Sequence, residues 1–139
     1  MSSAIADMLA VARAALERFH DVTADEDGAL TFAHGGVVCA LQGLDLEDGL
    51  PVLNLTCVVA WDLPAESDVP TQVAMGVGEG LFGTPRVIEG SAGWDVTWRY
   101  AFPAAGLDEK AMGTLLMLVV SGASSLRAAL LPDESRSAR

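Results

Sequence analysis

Six consecutive residues spell a glycine pattern that binds dinucleotides in other proteins. Gly78-Glu79-Gly80-Leu81-Phe82-Gly83 matches the G-x-G-x-x-G string. Pyrophosphate binding needs those glycines between a buried strand and the N-terminus of a helix, whose backbone N–H groups then face the ligand. Here the glycines follow a predicted helix and precede a predicted strand, without strand–helix–strand alternation. We therefore interpret them as a flexible helix end and expect no cofactor.

Two cysteines and two histidines are the next candidates, for redox or metal chemistry. Cys39 and Cys57 fall on neighbouring predicted strands, and a hairpin centred near Asp48 makes them cross-strand neighbours on one face. A redox pair is conceivable, but the chain has no C-x-x-C motif, and two small buried hydrophobic residues are the favoured interpretation. His20 lies at a helix end and His34 beside a turn, without partners at metal-ligand spacing, so no metal site is predicted.

Hydroxyl and carboxyl side chains give no catalytic arrangement. The serines fall in or near the last predicted helix and lack the strand–turn–helix context of a nucleophile elbow. The glutamates fit solvated helix positions as well as general acid–base roles. No catalytic residue is assigned, and we expect a protein that is not an enzyme. The residues considered are Ser121, Ser124, Ser125, Glu17, Glu79 and Glu109.

Aromatic and large aliphatic side chains are stronger candidates, for binding rather than catalysis. Trp94, Trp98 and Tyr100 share one face of a predicted strand, and Trp61 ends another. They either fill the core between sheet and helices or anchor a peptide or ligand, because Trp and Tyr dominate binding hot spots. Both alternatives stay open. The possible partner-binding or dimer surface consists of Trp61, Leu81, Phe82, Trp94, Trp98, Leu115 and Val119.

A single acidic domain must position these side chains. The chain has 139 residues, of which 51% are hydrophobic and 19% charged, and this balance excludes a disordered protein. Its net charge of −11, with one lysine in the chain, argues against binding nucleic acid or an anionic membrane surface. Neither a secretory signal nor a membrane-spanning run is recognised, and two cysteines are too few for a disulfide scaffold. We expect a cytoplasmic protein with one domain at 1–132 and a polar tail at 133–139.

Hydrophobic residues at helical spacing predict three helices, over residues 3–19, from 67 or 68 to 81, and from 108 to a stop at Pro132. The middle helix has Pro70 in its first turn, where proline is tolerated. Its three glycines each cost roughly 0.5–1 kcal/mol of helix stability, so a short or bent helix is expected. Its apolar stripe would consist of Val73, Val77 and Leu81.

Alternating and β-branched patterns predict five strands. Gly35-Gly36 is a two-residue hairpin signal between the first two, and the segment 45–51, which contains Asp48-Gly49, closes the next hairpin. The predicted fold is therefore α+β, an antiparallel five-stranded sheet in the order α-β-β-β-α-β-β-α with the helices packed on it. The strands are expected at 30–34, 37–41, 52–61, 86–89 and 94–102.

This order of elements resembles the type III secretion chaperone-like fold, including the YbjN-like family. The resemblance covers nearly the whole chain, through the opening amphipathic helix and three segments whose hydrophobicity and turns match: 27–32, 51–55 and 100–107. It implies a small acidic homodimer that binds other proteins and has no active site. The glycine-rich middle helix departs from the pattern. A roadblock-like domain is the alternative architecture, and would place two strands before the middle helix and three after it.

Two classes of function follow as expectations. The first is a non-enzymatic protein-binding module, chaperone-like or regulatory, that acts as a homodimer and captures a protein along a sheet edge or in an apolar groove. The alternative is a small-molecule sensor or carrier with its pocket between the tryptophan face of the sheet and the last helix.

Overall fold

The structure, a computed structural model, describes residues 3–131. These residues form three α-helices and one antiparallel sheet with the strand order β1-β2-β3-β4-β6-β5. The α+β class is therefore confirmed, but the sheet has six strands where five are predicted. In chain order the elements are α1 (Ser3–Leu16), β1 (Thr23–Ala24), β2 (Leu30–His34), β3 (Val37–Leu46), β4 (Leu50–Leu63), α2 (Val69–Ala74), β5 (Thr84–Glu89), β6 (Trp94–Phe102) and α3 (Glu109–Leu130).

The additional strand, β1, is the short edge of the sheet. Its two residues pair with β2, and the Thr31 hydroxyl donates to the Thr23 carbonyl at 3.3 Å. The acidic turn that follows is built as its sequence suggests, because the Asp25 carboxylate accepts from the backbone N–H groups of Asp27 and Ala29, each at 2.9 Å. Two residues are too few to show an alternating pattern, so the strand is invisible in the sequence.

Both predicted hairpins exist, but the second is longer than expected. Gly35 and Gly36 take φ of 56° and 82° in the tight turn between β2 and β3, a conformation that glycine adopts without steric cost. β3 and β4 continue through most of the predicted 45–51 turn, as far as the Leu46–Leu50 pair, and a single 3-10 turn at Glu47–Gly49 joins them.

The middle helix is shorter than the helix that its predicted apolar stripe would require. α2 ends at Ala74 because Gly76 and Gly78 adopt φ of 91° and 73°, outside the helical region. Leu81 is 89% exposed and therefore does not belong to an apolar helix face. The last helix begins as predicted, since the Asp108 carboxylate accepts from the backbone N–H of Ala111 at 2.8 Å. Its predicted stop at Pro132 and the tail 133–139 lie outside the described residues.

The hydrophobic core lies on one face of the sheet. Alternate residues of β2, β3, β4 and β6 are buried under α1 and α3, while α2 contacts β5 at the margin. The sheet residues of the core include Phe32, Val37, Leu41, Leu53, Leu55, Val59, Val96 and Trp98. The opposite face carries no helix of the described residues. Four strands precede α2 and two follow it, which excludes the roadblock-like order.

α3 is 22 residues long and, by length and composition alone, apolar enough to cross a membrane. A core helix of a soluble protein passes the same test. Met112, Leu116, Val119, Val120, Ala123 and Leu126 are buried against the sheet and α1. The remaining sides of the helix face outwards.

Candidate binding surface

A groove runs between the end of α1 and the outer side of α3, with a volume of about 870 Å³. The helices approach closely beside it, since a Cβ added to Gly113 would lie 3.3 Å from the Cβ of Ala15. Small residues at this crossing leave the larger side chains to form the walls. The apolar lining of this α1–α3 groove consists of Ala15, Leu16, Phe19, Met117 and Leu118.

Two large apolar side chains in the walls of the α1–α3 groove are exposed to solvent. Phe19 is 80% exposed and Leu118 is 46% exposed. One end of the groove is charged, because Arg18 of the α1 end forms an ion pair with Glu109 at the start of α3, and Lys110 lies beside them. An apolar channel with a charged end is complementary to an amphipathic segment.

A second, shallower groove of about 450 Å³ follows the other flank of α3. Phe82 and Leu115 line it, and Leu118 lines both grooves, so the outer side of α3 is a ridge between them. Phe82 is held by Tyr100, whose ring centroid lies 5.9 Å away at 73° in an edge-to-face arrangement.

The predicted surface residues separate into four places. Phe82 and Leu115 line the second groove, and Leu81, next to Phe82 in the loop, is exposed. Trp61 is 54% exposed and belongs to the opposite side of the sheet. Trp94 is half-buried, and its indole N–H donates to the Ala65 carbonyl at 3.1 Å. The other two, Trp98 and Val119, are completely buried and therefore lie in the core rather than on a surface.

The glycine-rich loop packs on Trp98. The Trp98 indole N–H donates to the Phe82 carbonyl at 3.1 Å, and a Cβ on Gly83 would come within 2.0 Å of that nitrogen. A Cβ on Gly122 of α3 would come within 2.6 Å of the same ring. Gly83 and Gly122 thus leave room for the indole between the loop and α3. The glycine-rich loop itself lies after α2 and before β5. Trp98 also fills the space between sheet and α3 in which the small-molecule pocket is expected.

Cys39 and Cys57 are directly opposite each other on β3 and β4, as the hairpin predicts. Both thiols are free and completely buried on the helix-covered face. The hydrogen bond with Cys39, together with burial, raises the pKa of the Cys57 thiol far above its ordinary value. A protonated, inaccessible thiol is a poor nucleophile and a poor metal ligand.

His20 and His34 meet, although the sequence suggests no partner for either. Nε2 of His20 lies 3.0 Å from Nδ1 of His34, and the His20 ring stands edge-on to Phe32 at 5.3 Å. Nδ1 of His20 is buried and has no hydrogen-bond partner among the described residues. The pair closes the His20 end of the α1–α3 groove against β2.

The remaining polar side chains considered for catalysis pair with neighbouring residues, pack against a turn or lie exposed. Glu17 pairs with Arg13 along α1 at 3.3 Å, Glu109 pairs with Arg18, and Glu79 lies exposed on the glycine-rich loop. Ser124 lies against Gly35 of the β2–β3 turn. Within the part of the chain that the structure describes, no group of three or more His, Cys, Asp or Glu is placed to hold a metal ion.

Comparison with known protein families and with characterised proteins finds no match to this chain. The site must therefore be interpreted from its geometry.

Proposed function

We propose that the chain is a non-enzymatic protein-binding module, chaperone-like or regulatory, that acts as a homodimer in the cytoplasm. The α1–α3 groove is the observation that carries this proposal. It presents exposed large apolar side chains in a concave surface, and patches of this kind mark binding sites in soluble proteins. The resemblance to the chaperone-like and YbjN-like pattern points in the same direction.

An amphipathic helix of the partner is the occupant that the groove fits best. Two helices in contact already form its walls, and a third helix packs on such a pair at an axial separation of about 8–10 Å. Phe19 and Leu118 would contact the apolar face of the partner helix, and the mixed charges at the end of the groove would contact its polar residues.

Strand addition at a sheet edge, the other expected mode, is disfavoured by both edges. β1 offers only two residues, and β5 carries Pro85, Arg86 and Glu89. Proline removes a backbone donor, and charged side chains on an edge strand oppose pairing with another chain. The groove is therefore the better site for a partner.

Site-specific crosslinking tests the groove. A photoreactive amino acid placed at Leu118 is expected to capture one partner in the native cell, while the same group at Met75, 82% exposed and outside both grooves, captures nothing specific. A Phe19→Glu change in the Leu118 probe protein should abolish capture, because it places a charge in the apolar wall. Equal capture at both positions, or capture that survives Phe19→Glu, would contradict the proposal.

A small-molecule sensor is the second candidate, because the groove volume lies within the roughly 300–1,000 Å³ of ligand pockets. Native mass spectrometry of the protein purified from its own cells tests it. A compound that co-purifies with the native chain and not with the Phe19→Glu variant would favour the sensor. A spectrum of protein alone would leave the protein-binding module as the function to pursue.

A further inference from the structure

The face of the sheet that no helix covers is rich in exposed apolar side chains. The strand registers place alternate residues of β2–β6 on this face, which we name the open face. Ten large hydrophobic residues of the described chain are exposed, and six of them lie here. They are Val38, Leu44, Leu46, Leu50, Trp61 and Ile88, each between 37% and 54% exposed.

Charge is almost absent from the open face. Its residues on β2, on β3 and on β4 as far as Val58 include no charged side chain, although the chain has nineteen acids. The charged residues of the face on β5 and β6 are Arg86, Asp95 and Arg99, and of these Arg99 lies beside Thr56 of β4. A surface with so few charged side chains has the composition of a protein–protein interface rather than of a solvated surface.

The polar groups at the centre of the face are already paired with one another. Arg99 donates from Nε to the Asn54 side-chain oxygen at 2.7 Å, and Asn54 donates to the Thr56 hydroxyl at 3.3 Å. Asn54 is only 5% exposed despite the absence of a covering layer. Asn54 therefore needs no partner from a covering layer, whereas the remaining N–H groups of Arg99, an exposed residue, would need acceptors supplied by that layer.

The dimensions of the face match one side of a stable interface. The five strands β2–β6, about 4.8 Å apart, with roughly ten residues of ~3.3 Å along the central strands, give an area of roughly 800 Å². A standard protein–protein interface takes about 800 Å² from each partner. A peptide or a single strand would cover only part of this area.

We propose that a second copy of the chain covers the open face, so that the two sheets pack face to face in an isologous dimer. Sheets packed in this way lie about 10 Å apart with interdigitating side chains, which the apolar residues of β3 and β4 would supply. This inference rests on the homodimer part of the proposed function, and it leaves Leu115 of the predicted dimer surface outside the contact. The α1–α3 groove then faces outwards on both copies.

Matched substitutions on the two sides of the molecule test the proposal. Val38 on the open face and Leu118 in the α1–α3 groove are 48% and 46% exposed, so a glutamate replaces a side chain of similar exposure at each position. The native chain and Leu118→Glu are expected at twice the 14.4 kDa of one chain by light scattering across a dilution series. Val38→Glu is expected at the mass of one chain, with an unchanged circular dichroism spectrum.

A second substitution protects the test against misfolding. Should Val38→Glu lose its native spectrum, Leu50→Glu at the hairpin end serves in its place, because Leu50 is 49% exposed and distant from the buried strand centres. A native chain that keeps the mass of one chain at every concentration would overturn the proposal. So would dissociation by Leu118→Glu without dissociation by the open-face variants.

Disulfide trapping locates the contact directly. Thr56 lies at the centre of the open face and Thr114 on the outer side of α3, while both native thiols are buried. Oxidation should crosslink Thr56→Cys chains in pairs and leave Thr114→Cys chains separate; the reverse result would contradict the proposal. Partner capture at Leu118 by a chain that stays monomeric would refute the dimer alone, whereas an open-face dimer without partner capture would refute the binding function alone.

Discussion

The Trp98 indole determines which residues the glycine-rich loop can contain. Gly83 takes φ of 142° and leaves no room for a Cβ beside the indole nitrogen. We expect Gly83→Ala to lower the free energy of unfolding by about 2–4 kcal/mol, through backbone strain and overpacking together. Gly106→Ala is the control, because Gly106 has φ of 88° but no atom within 4 Å of the added Cβ, and should cost about 1 kcal/mol. Equal losses in urea unfolding would show that Trp98 does not constrain the loop.

The Cys57 thiol makes the free energy of unfolding depend on pH in the alkaline range. Its pKa is raised in the folded chain by Cys39 and by burial, from an ordinary value of 9.0. Above pH 9 the unfolded thiol ionises while the folded one stays protonated, so this contribution to stability is present below pH 9 and is lost as pH rises. We expect up to about 1.4 kcal/mol of loss per pH unit. The free energy of unfolding of Cys57→Ala should fall less steeply from about pH 9 to about pH 10; parallel slopes would refute the assignment.

The two cysteines and the two histidines show what residue spacing can predict. Cys39 and Cys57 are correctly paired from the sequence, because a hairpin relates its residues by simple counting from the turn. His20 and His34 are not, because no counting rule connects the end of a helix to a strand on which it happens to fold. Their contact depends on the path of the α1–β2 connection, which is a property of the packed chain.

Arg127 of α3 contacts both β4 and the β2–β3 turn, so its loss should weaken the attachment of α3 to the sheet. Its Nη1 donates to the Val59 carbonyl at 2.7 Å, at the bulge of β4, and its side chain passes against Gly36 of the β2–β3 turn. Arg127→Met keeps the apolar stem and removes the charged hydrogen bond, for an expected loss of about 1–3 kcal/mol in unfolding. The control is Arg13→Met, which breaks only an exposed pair with Glu17 and should cost less than about 0.5 kcal/mol. Equal effects would mean that Arg127 does not join α3 to the sheet.

Element type was easier to predict than element length. β6 has the predicted bounds because aromatic residues and Val96 alternate with polar or small residues along its whole length. β3 and β4 exceed their predictions because pairing continues through Asp45 and Pro51, which local preferences assign to a turn. α2 falls short because positive φ at Gly76 and Gly78 serves the contacts of the loop with Trp98 and α3, and those contacts cannot be derived from helical periodicity.

At the scale of the whole molecule, the sheet divides the surface into two unlike sides. Alternation in the sequence shows that each strand has two faces, but it does not show that both long helices pack on the same one. That choice determines which apolar residues are core and which are surface. It explains why Trp98 was included in the predicted surface, and why the exposed apolar residues of β3 and β4, apart from Trp61, were not.

The distribution of charge over the whole molecule predicts how association responds to salt. Each chain carries a net charge of −11, while the central strands of the open face are uncharged. Two copies therefore repel at long range without attracting each other through ion pairs across the contact. Raising the salt from about 0.01 M to about 0.15 M shortens the screening length from about 30 Å to about 8 Å. We expect the dimer dissociation constant, measured by sedimentation equilibrium, to fall roughly 3- to 10-fold over this range. A constant that rises with salt would mean that Arg86 and Arg99 hold the copies together through the acids of the partner, and that the apolar side chains of β3 and β4 do not.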